Sequence, residues 1–600
     1  MCGVHLLLTY PRREEDAINA MTQACRHRGP DHSAWLEVRP GVYLGANRLK
    51  TLDLRDRANP PLVHPKTQTY LSWNGFIYNY QDLKNELLQE GVRFESASDG
   101  EVLLQWLVHK GTAGIARIQG MYAFAFVDGE KNRVTVGRDP HGVKSLYFAQ
   151  ESGRLVCSSE VSCLMRSGLI SASLDQSQLL SYAYLRHPFP SHSLLSGVQE
   201  LQPGELRSWD LYGTFIESTQ IPFQPTGPCS RVITNENVEE LLSDAVLRQV
   251  HADVPAGLIL SGGADSSLVY HLWKKHGAGA VPTFTVGFQR PYRRAFPDAD
   301  VAASLVRDQR AFHQEITISP EWFLETWPAY IRDLDVPVGD AASYLSWALA
   351  KKARDTVKIL LSGAGADELF AGYNRHSAYK KYLAHPVFWK RVASVGKQIP
   401  LGGRRVRHFL SGIHSDPVRT FMNFAALYPL PDGLAEKLKT LYPRGGDPFS
   451  NALEWDRQVY LVHDLLKIQD NACMAHGIEG RVPFLDWQVV DASRRSGEAT
   501  SGNLPPKYWI KFLLRKEGLR IQAGRKKFGF GMPLKEWLRS HTEFRNRVSS
   551  SVIHFGQRFG QVLPEEWATL TRHPEKFLDS HYLLLYNLFL LNDWIEENQL

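Results

Sequence analysis

Short apolar runs separated by turn residues fill the first two hundred positions of this 600-residue chain. Residues 42–46, 69–73, 122–127 and 133–137 are apolar or alternate apolar with polar side chains, the period of a strand with a buried face. Helical spacing interrupts them at 15–26, 82–90 and 100–109. Strands outnumber helices, and neighbouring strands lie close enough for hairpins, which predicts a mainly antiparallel α+β layering. The texture changes after Tyr212-Gly213. Residues 219–232, TQIPFQPTGPCSRV, carry three prolines and no periodicity, which marks a linker. From Asn235 onward, helical patterns alternate with short β-branched runs at 258–260, 283–286 and 358–361. That alternation predicts a parallel sheet with helices on both faces. The last third reads as helix. The expected division is residues 1–213 as one domain, 214–232 as linker and 233–600 as a second domain.

Composition narrows the class. With 43% hydrophobic and 22% charged residues, the chain is globular and long enough for several cores. A net charge of +6 is small for this length and argues against a nucleic-acid partner. The six cysteines, at 2, 25, 157, 163, 229 and 473, have no spacing suited to zinc or a disulfide framework, and Cys157 and Cys163 read as buried thiols. No basic leader precedes the apolar VHLLL stretch after Gly3. The most apolar run, 582–591, is too short to span a bilayer and contains Asn587. A cytoplasmic enzyme without membrane contact is expected.

Cys2 is the first residue with a chemical reading. Removal of Met1 would leave its thiol and a free α-amine on one residue, with the amine titrating near pH ~8. Such an amine can activate its own side chain as a nucleophile. Four segments could assemble around it: Arg26-His27-Arg28-Gly29-Pro30-Asp31, Gly45-Ala46-Asn47-Arg48-Leu49, Trp73-Asn74-Gly75-Phe76 and Ser98-Asp99-Gly100-Glu101. Each has a plain structural reading. Asn-Gly is a common hairpin turn, Asp99 could cap a helix, and Arg48 could be a surface ion pair.

Together and in this order, these segments resemble the glutaminase domain of class II glutamine amidotransferases, over roughly residues 2 to 210. The resemblance implies a four-layer αββα Ntn fold in which Cys2 attacks the side-chain amide of glutamine. It implies an oxyanion hole from the Asn74 side chain and the Gly75 N–H. Arg48 would hold the α-carboxylate through a forked pair of bonds, and Asp99 would take the α-ammonium. The family commonly has Asn-Gly-Glu, and here Phe76 stands in place of the Glu.

The second half carries a more specific string. In residues 254–268, an apolar strand runs through Leu260-Ser261-Gly262-Gly263-Ala264-Asp265-Ser266 into a helix expected to start near Asp265. Small residues and free N–H groups at a helix start suit an anion. No Gly-Lys-Ser/Thr follows, so the loop is not a Walker motif. A second strand leads into Ser362-Gly363-Ala364-Gly365-Ala366-Asp367. These strings resemble the pyrophosphate loop of ATP pyrophosphatases. With Asp470 to Asp486, Lys511 to Arg515 and Arg525 to Gly531, the stretch from about 233 to 540 resembles the synthetase domain of glutamine-hydrolysing asparagine synthetases.

That resemblance implies an α/β domain with a helical C-terminal extension, ATP and Mg²⁺ as cofactors, and formation of β-aspartyl-AMP that ammonia converts to asparagine. By position, Ser261, Gly262, Gly263, Asp265 and Ser266 would cradle pyrophosphate, and Leu260, Val286, Ser362 and Gly363 would contact the nucleotide. Asp265 and Asp367 would share Mg²⁺, and Lys511 would neutralise phosphate charge. Ala364 departs from relatives that carry Glu or Tyr there, which argues against β-lactam formation. The segment from Asp335 to Ser343 resembles an Asp-x-Pro-x-x-Asp signature of one bacterial branch. The expected substrates are glutamine, ATP and aspartate or another carboxylate, with a homodimer as a candidate assembly. An alternative is the same machine acting on a different carboxylate in secondary metabolism. A non-catalytic scaffold would need broken motifs, yet Cys2, Asn74, Asp265, Asp367 and Lys511 are all present.

Overall fold

A computed structural model describes residues 2–222, 232–277, 279–307, 312–396, 404–496, 504–525 and 531–600. Twelve strands build the first half: β1 (Cys2–Leu8), β2 (His32–Arg39), β3 (Val42–Arg48), β4 (Leu62–Val63), β5 (Thr69–Ile77), β6 (Gly120–Asp128), β7 (Arg133–Arg138), β8 (Tyr147–Glu151), β9 (Arg154–Ser158), β10 (Val198–Glu200), β11 (Glu205–Asp210) and β12 (Phe215–Gln220). They form two six-stranded sheets, in the orders β10-β8-β9-β1-β3-β2 and β12-β11-β7-β6-β5-β4. Every pairing in them is antiparallel.

Period-2 patterning explains the layers. Val4, Leu6, Leu8, Val42 and Leu44 face Ala123, Ala125 and Val127 between the two sheets. The opposite parity, Leu7 and Tyr43, packs on Ile18 and Met21 of the helix Glu15–Ala24. Beyond the second sheet, Leu71 and Trp73 pack on Leu103 and Trp106 of the helix Asp99–Lys110. The result is the αββα layering that the resemblance implied. Two details add to it. Of the two readings of Asn74-Gly75 the hairpin turn is not realised; the pair lies inside β5, opposite Ala123 and Tyr122 of β6. Regular structure also continues past residue 213, because β12 pairs with β11 as an exposed edge strand. Residues 223–231 of the expected linker fall outside the described residues.

The second half contains a parallel sheet of β13 (Ala256–Ile259), β14 (Thr283–Phe288), β15 (His313–Ile318), β16 (Ile359–Leu361) and β17 (Glu479–Arg481), in the order β15-β14-β13-β16-β17. The order reverses between β13 and β16, and crevices at such a point, outside the carboxyl ends of the strands, are where α/β sheets bind ligands. Helices cover this sheet. The helix Tyr582–Glu597 is buried over most of its length. Trp327 stacks on its Phe589 at 4.5 Å, and its Trp594 donates to Leu334 O at 3.1 Å. The apolar run at 582–591 is therefore core of the second half. Among the described residues, no helix is long and apolar enough to cross a membrane.

The two halves meet through buried charge. Arg28 donates to Glu160 at 3.0 Å and to Asp470 at 2.8 Å. Lys467 donates to Ser145, Tyr147 and Glu200. All of these side chains are closed from water, with Arg28 only 1% exposed. Breaking one such buried pair costs roughly 3–5 kcal/mol, because a desolvated charge is left behind.

Candidate functional sites

Cys2 opens β1, and the register with β3 sets it opposite Arg48. Its backbone N–H donates to Asn74 Oδ1 at 2.9 Å, from one sheet to the other. The Nδ2 end of the same amide is buried and meets no acceptor among the described residues. Leaving a buried donor unpaired costs about 1–3 kcal/mol, so it marks a place where an oxygen is expected to arrive. The next residue must be glycine: a Cβ on Gly75 would lie 2.1 Å from Met121 O. Burial raises the Cys2 thiol above its ordinary pKa. The thiol therefore keeps its proton at neutral pH and needs a base to become a nucleophile.

The two expected clamps differ in readiness. Asp99 is buried in the first turn of its helix, where Oδ2 accepts from Ile77 N at 3.1 Å, and burial pushes its carboxyl up to about 7. The helix is capped instead by Ser98, which accepts from Gly100 N and Glu101 N. Arg48 departs from the open fork expected of it. Nη1 donates to Arg55 O and Asn59 Oδ1 at 3.1 and 2.7 Å, and Nη2 to Leu52 O and Asp53 O at 3.0 and 2.6 Å. Both ends of the guanidinium shape the loop at 52–59. Phe76 is a domain contact: the Arg481 guanidinium of β17 lies 4.1 Å from its ring centroid.

The second constellation lies at the carboxyl ends of β13 and β16. Ser266 Oγ accepts from Ser261 N at 3.2 Å, and Ser261 Oγ accepts from Gly263 N at 3.4 Å, so the loop closes tightly before the helix Ala264–His276. Gly262 has φ +64, and a Cβ there would crowd Val301. Leu260 and Val286 place their side chains in the core. Ser362 holds the second loop through its own bonds: its N–H donates to Arg481 O at 3.0 Å and its hydroxyl to Gln469 Oε1 at 2.7 Å. A Cβ on Gly363 would lie 2.9 Å from Asp265 Cβ, so the two loops touch there.

Their carboxylates converge on one cation. Lys507 Nζ lies 2.5 Å from Asp265 Oδ2 and 2.6 Å from Asp367 Oδ1. Lys511, the lysine expected to serve the phosphates, sits one turn further along the helix Tyr508–Lys516 and makes no ion pair among the described residues. Partial burial, with Lys507 and Arg515 nearby, lowers its pKa. Sequence reasoning passed over Lys507. A signal existed, since Pro505-Pro506 announces a helix start and a cation there opposes the helix dipole. Arg525 Nη1 donates to Gly262 O at 3.0 Å. Lys526 to Phe530 of the same basic motif fall outside the described residues.

A further charged cluster lies beside Asp367, and sequence reasoning missed most of it. Tyr373 donates to Glu368. Arg375 lies 3.9 and 4.1 Å from the ring centroids of Tyr373 and Tyr460. Arg186 pairs with Asp340 at 2.8 Å and Asp464 at 3.2 Å. Asp464 sits on a π-helix, Asp456–Leu466, a form that favours functional positions. It is fully buried, its carboxyl is pushed up to about 7 by that burial, and beyond the Arg186 ion pair no hydrogen bond reaches either oxygen among the described residues. Asp340, first seen in the signature segment, thus belongs to this cluster. Its companion Asp335 accepts from Val161 N and Ser162 N and joins the two halves. Ala364 packs against the core beside the loop.

Comparisons with known proteins match the two halves of the chain to two families. The family model described as Asparagine synthase matches residues 237–584, and that described as Glutamine amidotransferase domain matches residues 1–218. Asparagine synthetase [glutamine-hydrolyzing] 1 of Bacillus subtilis is 30% identical over 569 residues, covering 90% of this chain and 87% of its own length. A Mycobacterium tuberculosis protein provisionally described as an asparagine synthetase [glutamine-hydrolyzing] is 31% identical over 591 residues, covering 90% of this chain and 89% of its own. Amidase chyE of Penicillium rubens is 24% identical over 595 residues, covering 87% of this chain and 85% of its own.

Proposed function

The chain belongs to the asparagine synthase family and is a glutamine-dependent carbon–nitrogen ligase, and we propose that it converts aspartate to asparagine at the expense of ATP. The observation that carries the first half-reaction is the Asn74 amide, which holds Cys2 N at one end and keeps a buried, unpaired N–H at the other. Once Met1 is removed, the α-amine on Cys2 takes the thiol proton, and Sγ attacks the glutamine side-chain carbonyl. Asn74 Nδ2 and Gly75 N–H receive the developing oxyanion. Ammonia leaves with the proton held by the amine, and water hydrolyses the remaining thioester to glutamate.

In the second half-reaction, the β-carboxylate of aspartate attacks the α-phosphorus of ATP, pyrophosphate departs, and ammonia then displaces AMP. The Ser261–Ser266 loop and the helix N-terminus behind it receive the pyrophosphate. Asp265 and Asp367 fit a divalent cation, because their oxygens already converge on one positive charge. Mg²⁺ held there would neutralise phosphate charge. An amino-acid acceptor suits the neighbouring cluster: Asp464 can receive an ammonium, and Arg375, whose Nη2 meets no acceptor among the described residues, can receive a carboxylate. Both sites in one chain keep ammonia from being protonated in bulk water.

The test is a panel of carboxylic acids with glutamine, ATP and Mg²⁺. Asparagine, AMP and pyrophosphate should appear in equal amounts with aspartate. A second reading, the same machine on another carboxylate, draws support from the likeness to Amidase chyE and from Ala364; pyrophosphate with another acid but not with aspartate would establish it.

Two results should follow at the glutaminase site. Asn74→Ala should lower the glutaminase kcat by about 10²–10³, measured as glutamate release, while synthesis from ammonium salts stays intact. Asp99 gives a pH signature. Its carboxyl is neutral below pH 7 and charged above it, and only the charged form attracts the glutamine ammonium. The KM for glutamine should therefore fall as pH rises from 6 to 8, by up to about tenfold per unit below the pKa. Asp99→Asn should give a high KM without that slope; an unchanged slope would assign it to another group.

A further inference from the structure

Lys507 is built into its position with unusual care for a residue at the start of a helix. It adopts φ +56, a left-handed conformation that a lysine rarely takes. Its N–H donates to Phe370 O at 2.8 Å, which ties it to the segment that follows Asp367. Its side chain is only 8% exposed, yet the ammonium reaches Asp265 from one loop and Asp367 from the other. Room for this arrangement depends on Gly372. A Cβ there would lie 1.9 Å from Asp367 Oδ1 and 2.1 Å from Lys507 Cε. Two loops, a glycine and a strained backbone thus cooperate to hold one ammonium between two carboxylates.

We propose that Lys507 is a tethered counter-ion that excludes a divalent cation from Asp265 and Asp367 until nucleotide arrives. The inference rests on the reading of Asp265 and Asp367 as the metal-binding pair. Two facing carboxylates without a cation would repel each other, and a bare pair would bind any divalent metal in solution. The ammonium satisfies both carboxylates, so a free cation must compete with a charge that cannot diffuse away. Nucleotide changes that balance. Its phosphates bring negative charge to the adjacent Ser261–Ser266 loop, and the displaced ammonium then has a new partner. Metal and nucleotide are consequently taken up together, and Lys507 becomes a phosphate ligand in the loaded site. Its role is distinct from that of Lys511, which touches neither carboxylate.

The experiment is Mn²⁺ binding, followed by the loss of free-ion electron paramagnetic resonance signal, for the full-length parent and Lys507→Met. Each is measured alone and with a non-hydrolysable ATP analogue, and thermal melts and circular dichroism confirm folding. The parent should bind Mn²⁺ weakly alone and at least tenfold more tightly with the analogue. Lys507→Met should bind Mn²⁺ at least tenfold more tightly than the parent in the absence of nucleotide. Equal affinity of the two proteins for Mn²⁺ alone overturns the inference and leaves the metal pair standing. Absence of Mn²⁺ binding in both proteins, even with the analogue, overturns the metal pair and the inference with it. If Lys507→Met does not fold, Lys507→Gln serves instead, since it too removes the positive charge from between the carboxylates and should raise the affinity for Mn²⁺ alone; no rise overturns the inference.

Discussion

Replacing Cys2 by alanine should abolish glutamine-dependent synthesis, a fall of at least about three orders of magnitude for loss of a covalent nucleophile. Synthesis from added ammonium salts should stay within about a factor of two of the parent, because the lost step precedes the second site. The separation is expected on geometry. Cys2 touches Asn74 and Arg28 through backbone atoms that alanine retains, so the strand register and the Arg28–Asp470 contact should survive. The thiol itself is small and buried, and its loss leaves little more than a sulfur-sized gap. Comparing asparagine formed from glutamine with that from ammonium chloride decides the matter. Loss of both activities, with an unchanged melting temperature, would refute the division of labour between the halves.

The converse substitution is Asp265→Asn. Pyrophosphate release should drop by roughly 10³, the scale seen when a preorganised charge at a transferring phosphate is removed. Two effects combine. The amide is a poorer ligand for a hard divalent cation, and it leaves Lys507 paired with Asp367 alone. Glutamate release from glutamine should continue, since Asp265 stands beyond the end of β13 in the second half and Cys2, Arg48, Asn74 and Asp99 all lie in the first. Pyrophosphate measured with an enzyme-coupled assay, alongside glutamate, gives both readings from one sample. Retained pyrophosphate release would remove Asp265 from the nucleotide site.

What could be read from the chain beforehand depended on how local the determining physics was. The strands at 42–48, 120–128 and 133–138 were legible because alternation of apolar and polar positions is imposed by one neighbour on each face. The Ser261–Ser266 loop was legible because a strand, small residues and a helix start are consecutive. The turn preference of Asn74-Gly75, the plain structural reading of that dipeptide, is overridden by nine residues of pairing with β6. The direction of the Arg48 fork was hidden because three of its four acceptors are backbone oxygens of a loop, which carry no residue code. Lys507 was hidden for a different reason. Its partners lie 242 and 140 positions away in the chain, and only the folded sheet brings β13 and β16 side by side. The cluster of Arg186, Arg375 and Asp464 was hidden likewise, since it draws on both halves.

The buried helix Tyr582–Glu597 has a consequence for how the molecule is made. The first half contains every strand of its own two sheets within residues 2–220, so it can fold while the rest is still being translated. The second half cannot close in the same way. The aromatic surface around Trp327 is completed only by Phe589 and Trp594, which emerge about 260 residues later. At about 5–20 residues per second, that surface stays open to water for at least ten seconds or so. The second half therefore exposes apolar surface during synthesis for longer than the first, and its core closes only once residues 589 and 594 have been made.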